Sequence, residues 1–370
     1  MPRGIRSWRG GRSGRSRNRI RLGAVQRAAG DRVRGAAGTR ADLLPERTRA
    51  LAARLAARCG DGTPAGATHA ARWRGGELER RGAPRRGREP AQGAVERGGG
   101  VSVARVGVVQ FPGVNCEAES VRALGRAGLE AEIFRWTRRA AELRDFQAYV
   151  LPGGFSYQDR VRAGALAAKD PLVDVLAGEA ERGKPVLGIC NGAQVLVEAG
   201  LVPDSGRVEL ALARNRMPDR DGYYARWIYV RIEPSGSLFT RGLTPGDVLP
   251  LPVAHGEGRF TSATAGRMAS LLATGQIPLR YCSAHGEVES GFPVNPNGAE
   301  QAAAAVSNAR GNVLALMPHP ERAQDLGALA RCVAGPWDER RAQAIARRDV
   351  DARGPGLALF DALSRHLKES

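Results

Sequence analysis

Cysteine is scarce in this 370-residue chain, with five copies (Cys59, Cys116, Cys190, Cys282 and Cys332) in an odd, widely spaced set. Such a set is not the even framework of a secreted disulfide scaffold, and it points to a reducing cytoplasm. No apolar run approaches the ~20 residues that span a bilayer, so a soluble protein is expected. Also missing is a G-x-x-x-x-G-K-[ST] loop, which argues against ATP chemistry on this chain. Lysine is absent from the first hundred residues, which hold 24 arginines and only eight acidic residues; the other 270 hold 32 basic against 30 acidic. The formal net charge of +18 therefore belongs to one end.

That end, with stretches such as RGGRSGRSRNRIR, has few large apolar residues and many glycines, so residues 1–100 are expected to be a disordered Arg/Gly/Ala-rich extension. An arginine-rich arm could track RNA phosphates. A transit peptide is a second option, although the length and the scattered acids fit it poorly. The junction favours a blander origin: globular sequence begins abruptly at Val101, and valine is what an internal GTG start codon encodes. The expectation is that the native protein starts at Val101 and that the preceding hundred residues are a gene-model extension.

From residue 101 onward, 42% hydrophobic content overall is enough to bury a core. ARVGVVQF, LEAEIFRW, QAYVLPGG and KPVLGIC read as short buried strands, and EAESVRALGRAG and PLVDVLAGEAERG as helices between them. Strands alternating with helices predict an α/β fold with an open, mostly parallel sheet flanked by helices. Beyond Gly200, GRVELAL, ARWIYVRI and VLPLPVAH look like strands without intervening helices, which suggests antiparallel additions or an excursion from the main sheet. AAAAVSN and NVLALMPH supply two more strands, residues 328–353 read as a loop or irregular helix, and PGLALFDALSRHL closes the chain as an amphipathic helix.

The chemistry centres on GICNG. Cys190 falls where a strand gives way to a helix, and Gly188 and Gly192 flank it at i−2 and i+2, the arrangement that lets a strained turn expose a nucleophile. The helix that follows points its positive end at the sulfur and favours the thiolate. A buried, inert thiol is the commoner fate of a free cysteine, so the assignment needs a base. Of five histidines, two sit in H-x-E pairs: His255 with Glu257, and His319 with Glu321. His319 follows an apolar strand whose carboxyl end belongs on the same sheet edge as Cys190, and Pro320 limits its sway, whereas His255 lies in a glycine-rich stretch that reads as flexible loop. The triad is therefore assigned to Cys190, His319 and Glu321. An oxyanion needs two backbone N–H donors, each worth ~3 to 4 kcal/mol of barrier. Asn191 can present one, and the turn at Gly153 and Gly154 can aim the other.

The segments VVQFPGVNC, LPGGFSYQDRVRAGALA, GICNGAQVL, AHGEGRF, NPNG and MPHPER, in this order, resemble the glutaminase subunits of phosphoribosylformylglycinamidine synthase, class I glutamine amidotransferases of purine biosynthesis. The likeness runs from about Ala104 to Arg322 and resumes in the C-terminal helix. It implies a flavodoxin-like class I amidotransferase domain over residues 101–370. By the same resemblance, Cys190 attacks the glutamine side-chain amide while His319, oriented by Glu321, moves protons. Amides near Gly154 or Phe155 and at Asn191 form the oxyanion hole, and Gln194 contacts the substrate. His255 faces the partner or supports the site. No cofactor and no metal are implied in this subunit. ATP and Mg are expected in the synthetase large subunit, which receives the ammonia, and a small bridging subunit completes the complex.

Three departures from the pattern stand out. Gln158 replaces the usual glycine after FSY, Ser283 replaces an early acidic residue, and residues 325–353 run longer than the family needs. Cys282 and His285 form a C-x-x-H, but no second ligand pair is spaced for zinc. Two rival readings remain at this stage: another cysteine hydrolase of the same fold, and an RNA-binding protein acting through its arginine-rich arm.

Overall fold

The computed structural model describes residues 103–203, 206–220 and 222–370. The expectations about residues 1–100, including Cys59, His69 and a start at Val101, lie outside the described residues.

Five short strands form the parallel part of the main sheet: β1 (Arg105–Gln110), β2 (Glu130–Arg135), β3 (Ala148–Leu151), β4 (Val186–Ile189) and β11 (Val313–Leu316), in the order β2-β1-β3-β4-β11. Strands β3, β4 and β11 are buried at every position, as a sheet covered on both faces requires. Helix α1 (Glu117–Arg126) connects β1 to β2 and carries Glu117 and Glu119 in its first turn and Arg126 in its last, which suits the helix dipole. Helix α2 (Pro171–Glu181) starts at an Asp170 cap whose side chain accepts from the Leu172 amide, with proline in the first turn. Helix α3 (Asn191–Glu198) follows β4 and is buried along its whole length.

The noisier stretch beyond Gly200 builds the antiparallel additions. Strands β10 (Ala303–Ser307), β9 (Leu279–Cys282), β6 (Tyr224–Ile232) and β7 (Val248–His255) continue the sheet from β11, each antiparallel to its neighbour. An excursion is present too: β5 (Leu210–Arg214) pairs with β8 (Glu257–Ser262) in a separate two-stranded sheet. The open, mostly parallel sheet flanked by helices is thus extended at one side by four antiparallel strands. β8, β9 and helix α4 (Arg267–Ala273) carry too weak a pattern to be read from sequence, because each is short: six, four and seven residues.

Residues 325–353 resolve into helix α5 (Pro336–Ala346) and a small satellite core of Leu326, Leu329 and Ala344. Trp337 Nε1 donates to the Val248 carbonyl (3.0 Å), and the Ala334 amide donates to the Tyr229 hydroxyl (2.6 Å). The segment thereby engages backbone on β7, the terminal strand of the sheet, and an occupied edge is a protected one. Helix α6 (Leu357–Glu369) closes the chain with Leu357, Leu359, Phe360 and Leu363 buried. No helix among the described residues is long and apolar enough to cross a membrane.

Candidate active site

The turn after β4 holds Cys190 at φ 51° and ψ −103°, a left-handed conformation that a side-chain-bearing residue adopts only under constraint. The constraint is packing. A β-carbon at Gly188 would come within 2.6 Å of the Gly192 carbonyl oxygen and of Leu196 Cδ1, and one at Gly192 would overlap the Leu151 carbonyl. Both glycines are therefore required by close approach of α3 to β3 and β4, and that approach forces the cysteine outward. Its amide is tied to Leu316 on β11 (2.7 Å), and its sulfur lies 3.6 Å from the Ala254 carbonyl.

Register brings the histidine to the same rim. Leu316 pairs with Ile189 across the parallel β11–β4 ladder, so Cys190 sits one residue, and His319 three residues, past the carboxyl ends of adjacent strands. The His319 amide donates to Pro252 on β7 (2.8 Å), which anchors the turn. Glu321 lies two residues on, with Oε1 2.5 Å from His319 Nδ1, and both side chains are almost fully buried. Gln324 holds this short 3-10 turn in place, donating to the carbonyls of Glu321 (2.6 Å) and of Glu119 on α1 (2.9 Å).

Burial alone would lower the imidazole pKa, but the Glu321 carboxylate and the Cys190 and Cys116 sulfurs outweigh it and hold it well above the ordinary value. His319 Nε2 is buried and makes no hydrogen bond in this state. A thiol, an imidazole and an orienting carboxylate are the parts of a nucleophilic site.

Two backbone amides near the turn have no acceptor among the described residues: Gly154, at φ 149°, and Asn191, at the start of α3 directly after Cys190. The Phe155 amide, the other one implied by resemblance, is engaged by the Gly113 carbonyl at 3.0 Å. Phe155 instead lies at the exposed rim, where its ring stands 6.5 Å from that of Tyr223. Gly153 packs against His319 itself. The Asn191 and Gln194 side chains serve the frame: Asn191 Oδ1 accepts from the Ser156 amide (3.0 Å), its Nδ2 donates to Gln194 Oε1 (2.9 Å), and Gln194 Nε2 donates to the Glu257 carbonyl (2.7 Å). Gln158 stands at φ 61°, between Tyr157 at 53° and Asp159 at 51°. The loop keeps a glycine-like conformation without the glycine.

The environment of His255 differs from the flexible loop expected for it. It ends β7, is 3% exposed, and its Nδ1 is held by Asn215 Oδ1 (3.1 Å) rather than by Glu257. Burial first, and then the positive charge of His319, push its pKa down to about 3, so it is a neutral ring. Two further residues at the site, Cys116 and Asp159, were missed by motif reasoning. Cys116 Sγ accepts from Arg322 Nη2 at 3.0 Å and sits within 4.8 Å of ligand atoms of His319 and Glu321. Those three are zinc-type donors, but the Arg322 guanidinium places a positive charge against the sulfur. Asp159 carries no pattern that a sequence would reveal, while Glu257, weighed from the sequence as a partner for His255, instead gives its backbone carbonyl to Gln194. Cys116 could have been found, since it closes the FPGVNC segment. Cys282 is buried, with its thiol pushed up to about 12 by that burial.

A family model described as "CobB/CobQ-like glutamine amidotransferase domain" matches residues 103–360. Phosphoribosylformylglycinamidine synthase subunit PurQ of Methanothrix thermoacetophila is 43% identical over 275 residues, covering 72% of this chain and 98% of the relative. The subunit of the same description from Thermus thermophilus is 42% identical over 221 residues, covering 60% and 90%. A solved structure described as "Structure of PurLQS from Thermotoga maritima" matches at 32% identity with a TM-score of 0.50, covering 67% of this chain and 99% of that one. With the rim geometry above, these likenesses establish that the chain belongs to the glutamine amidotransferase family, in its PurQ-type branch.

Proposed function

We propose that this chain hydrolyses glutamine to glutamate and ammonia and supplies the ammonia to a synthetase subunit that makes formylglycinamidine ribonucleotide in purine biosynthesis. The observation that carries the reading is the meeting of Cys190, the His319–Glu321 pair and two free amides at one rim of the parallel sheet, in a chain of PurQ-type sequence. The Cys190 thiolate attacks the side-chain amide carbon, and the carbonyl electrons move onto oxygen, where the Gly154 and Asn191 amides stabilise them. Imidazolium at His319 delivers its proton to the departing nitrogen, the C–N bond breaks, and ammonia leaves a thioester. His319 then takes a proton from water, the hydroxide displaces the sulfur, and glutamate departs as the thiol is restored. Glu321 keeps the imidazole in one tautomer throughout.

In this reading the chemistry belongs to a single amidotransferase domain, residues 101–370, with residues 1–100 as an extension. Synthesis with ATP and Mg belongs to the synthetase partner, and a small third subunit bridges the two. A cytoplasmic setting suits the unpaired thiols of Cys116, Cys190, Cys282 and Cys332. Neither another cysteine hydrolase of the same fold nor an RNA-binding role through the arginine-rich arm finds support among the relatives.

The test is reconstitution with the synthetase. Cys190→Ala is expected to abolish glutamine-dependent synthesis and to leave ammonia-dependent synthesis intact. Loss of both would make Cys190 structural and overturn the mechanism.

A further inference from the structure

Cys116 stands at the start of α1, completely buried, and the thioester chemistry uses no sulfur but that of Cys190. A buried free thiol ordinarily behaves as a small hydrophobe. This one is held by polar groups: Sγ accepts from Arg322 Nη2 (3.0 Å) and donates to Asn115 Oδ1 (3.3 Å). The sulfur, a ring nitrogen of His319 and a carboxylate oxygen of Glu321 all lie within 4.8 Å of one another.

The backbone fastens the same corner together. The amides of Asn115 and Cys116 both donate to the Gly153 carbonyl (3.3 and 3.2 Å), and Gly154, the next residue, pairs with Val114. A β-carbon at Gly153 would meet the His319 ring and the Cys116 sulfur at once. The start of α1, the Gly153 turn and the imidazole are therefore packed against each other. Arg322, three positions after His319, ties the sulfur back to the histidine's own turn.

His319 is 2% exposed and carries a positive charge during the reaction, so that charge needs partners inside the protein. The titratable groups around it are Glu321 on its own turn, Cys190 after β4, the neutral His255 at the end of β7, Tyr223 ahead of β6 and Cys116. Burial lowers the imidazole pKa, and Glu321, Cys190 and Cys116 raise it, in that order. Once the thioester has formed, the Cys190 sulfur is bonded to the acyl group and its charge is gone. Glu321 and Cys116 are the partners that last through both halves of the reaction.

We infer that Cys116, held by Arg322, is a positioning residue for His319: its sulfur fixes the imidazole beside the Gly153 turn and supports the imidazolium while Cys190 is acylated. This rests on the glutaminase reading above.

The experiment uses the reconstituted complex, L-glutamine as the probe, and the variants Cys116→Ala and Cys116→Ser. Cys116→Ala is expected to lower kcat about 10-fold, through a ring less well placed, and to leave the KM unchanged. The histidine-dependent limb of the pH profile of kcat should move to lower pH, because one raising influence on the imidazole is lost. Cys116→Ser keeps a small acceptor for Arg322, so its kcat and its limb should fall between those of Cys116→Ala and wild type. A limb that stays in place, or a kcat equal to that of wild type, reduces the sulfur to packing and overturns the inference. Should Cys116→Ala lose its thermal unfolding transition, Cys116→Ser alone is set against wild type: a smaller shift in the same direction is expected, and an unmoved limb overturns the inference. Failure of the wild-type complex to release glutamate from glutamine would instead defeat the glutaminase reading itself.

Discussion

A β-carbon at Gly153 would stand 2.6 Å from Cε1 of His319, so the imidazole ring owes its position partly to a side chain that is not there. Cys116 Sγ lies 3.3 Å from the same imagined carbon, and the ring therefore has little room to retreat. Gly153→Ala is expected to lower glutaminase kcat by about 100-fold, the size of effect that an ångström of misplacement can produce. Steady-state kinetics alongside thermal unfolding would check it, and a variant with unchanged kcat would show that the ring adapts.

Glu321 sets both the tautomer and the basicity of His319. Glu321→Gln keeps the shape and removes the charge, and a drop in kcat of about 10³- to 10⁴-fold is expected by analogy with the equivalent change in serine proteases. The pH profile carries the sharper signature. Because the carboxylate is a leading cause of the raised imidazole pKa, its loss should move the histidine-dependent limb of the residual activity to lower pH. A limb that stays in place would show that Glu321 does not govern the titration.

His255 should leave its mark on stability rather than on rate. The folded chain keeps this ring neutral until pH about 3, whereas an unfolded histidine takes up a proton near its ordinary value. The unfolded state binds more protons in that window, so the contribution is fully present above the unfolded pKa and erodes as pH falls toward the folded one. His255→Gln lacks this titration. Its unfolding free energy should fall less between pH 7 and pH 5 than that of wild type, by up to about 2 kcal/mol. Urea denaturation at the two pH values would measure the difference, in which carboxylates common to both proteins cancel.

Much of the parallel half was legible because its signals are local. Buried strands β1, β3 and β4 are apolar runs ended by glycine or proline, and α2 announces itself with an Asp170 cap and a proline. The nucleophile was legible for the same reason, since Gly188 and Gly192 bracket it within five residues. His255 was misjudged because the two glycines that follow it, Gly256 and Gly258, look like a flexible loop. In the fold Gly258 is required instead by the packing of its own backbone against the His255 ring, and Asn215, forty residues away, fixes that ring.

What the residues determined unaided is the set of chemical parts: a thiol at a strand-to-helix turn, a histidine with a glutamate two positions on, and glycines where backbone must come close. Those follow from steric and hydrogen-bonding rules that act over a few positions. Only the tertiary structure decided which parts meet, by pairing β11 beside β4 and by swinging the His319 turn against β7. Such long-range choices arise from burying a shared core under one sheet register, and no short window of sequence contains that constraint.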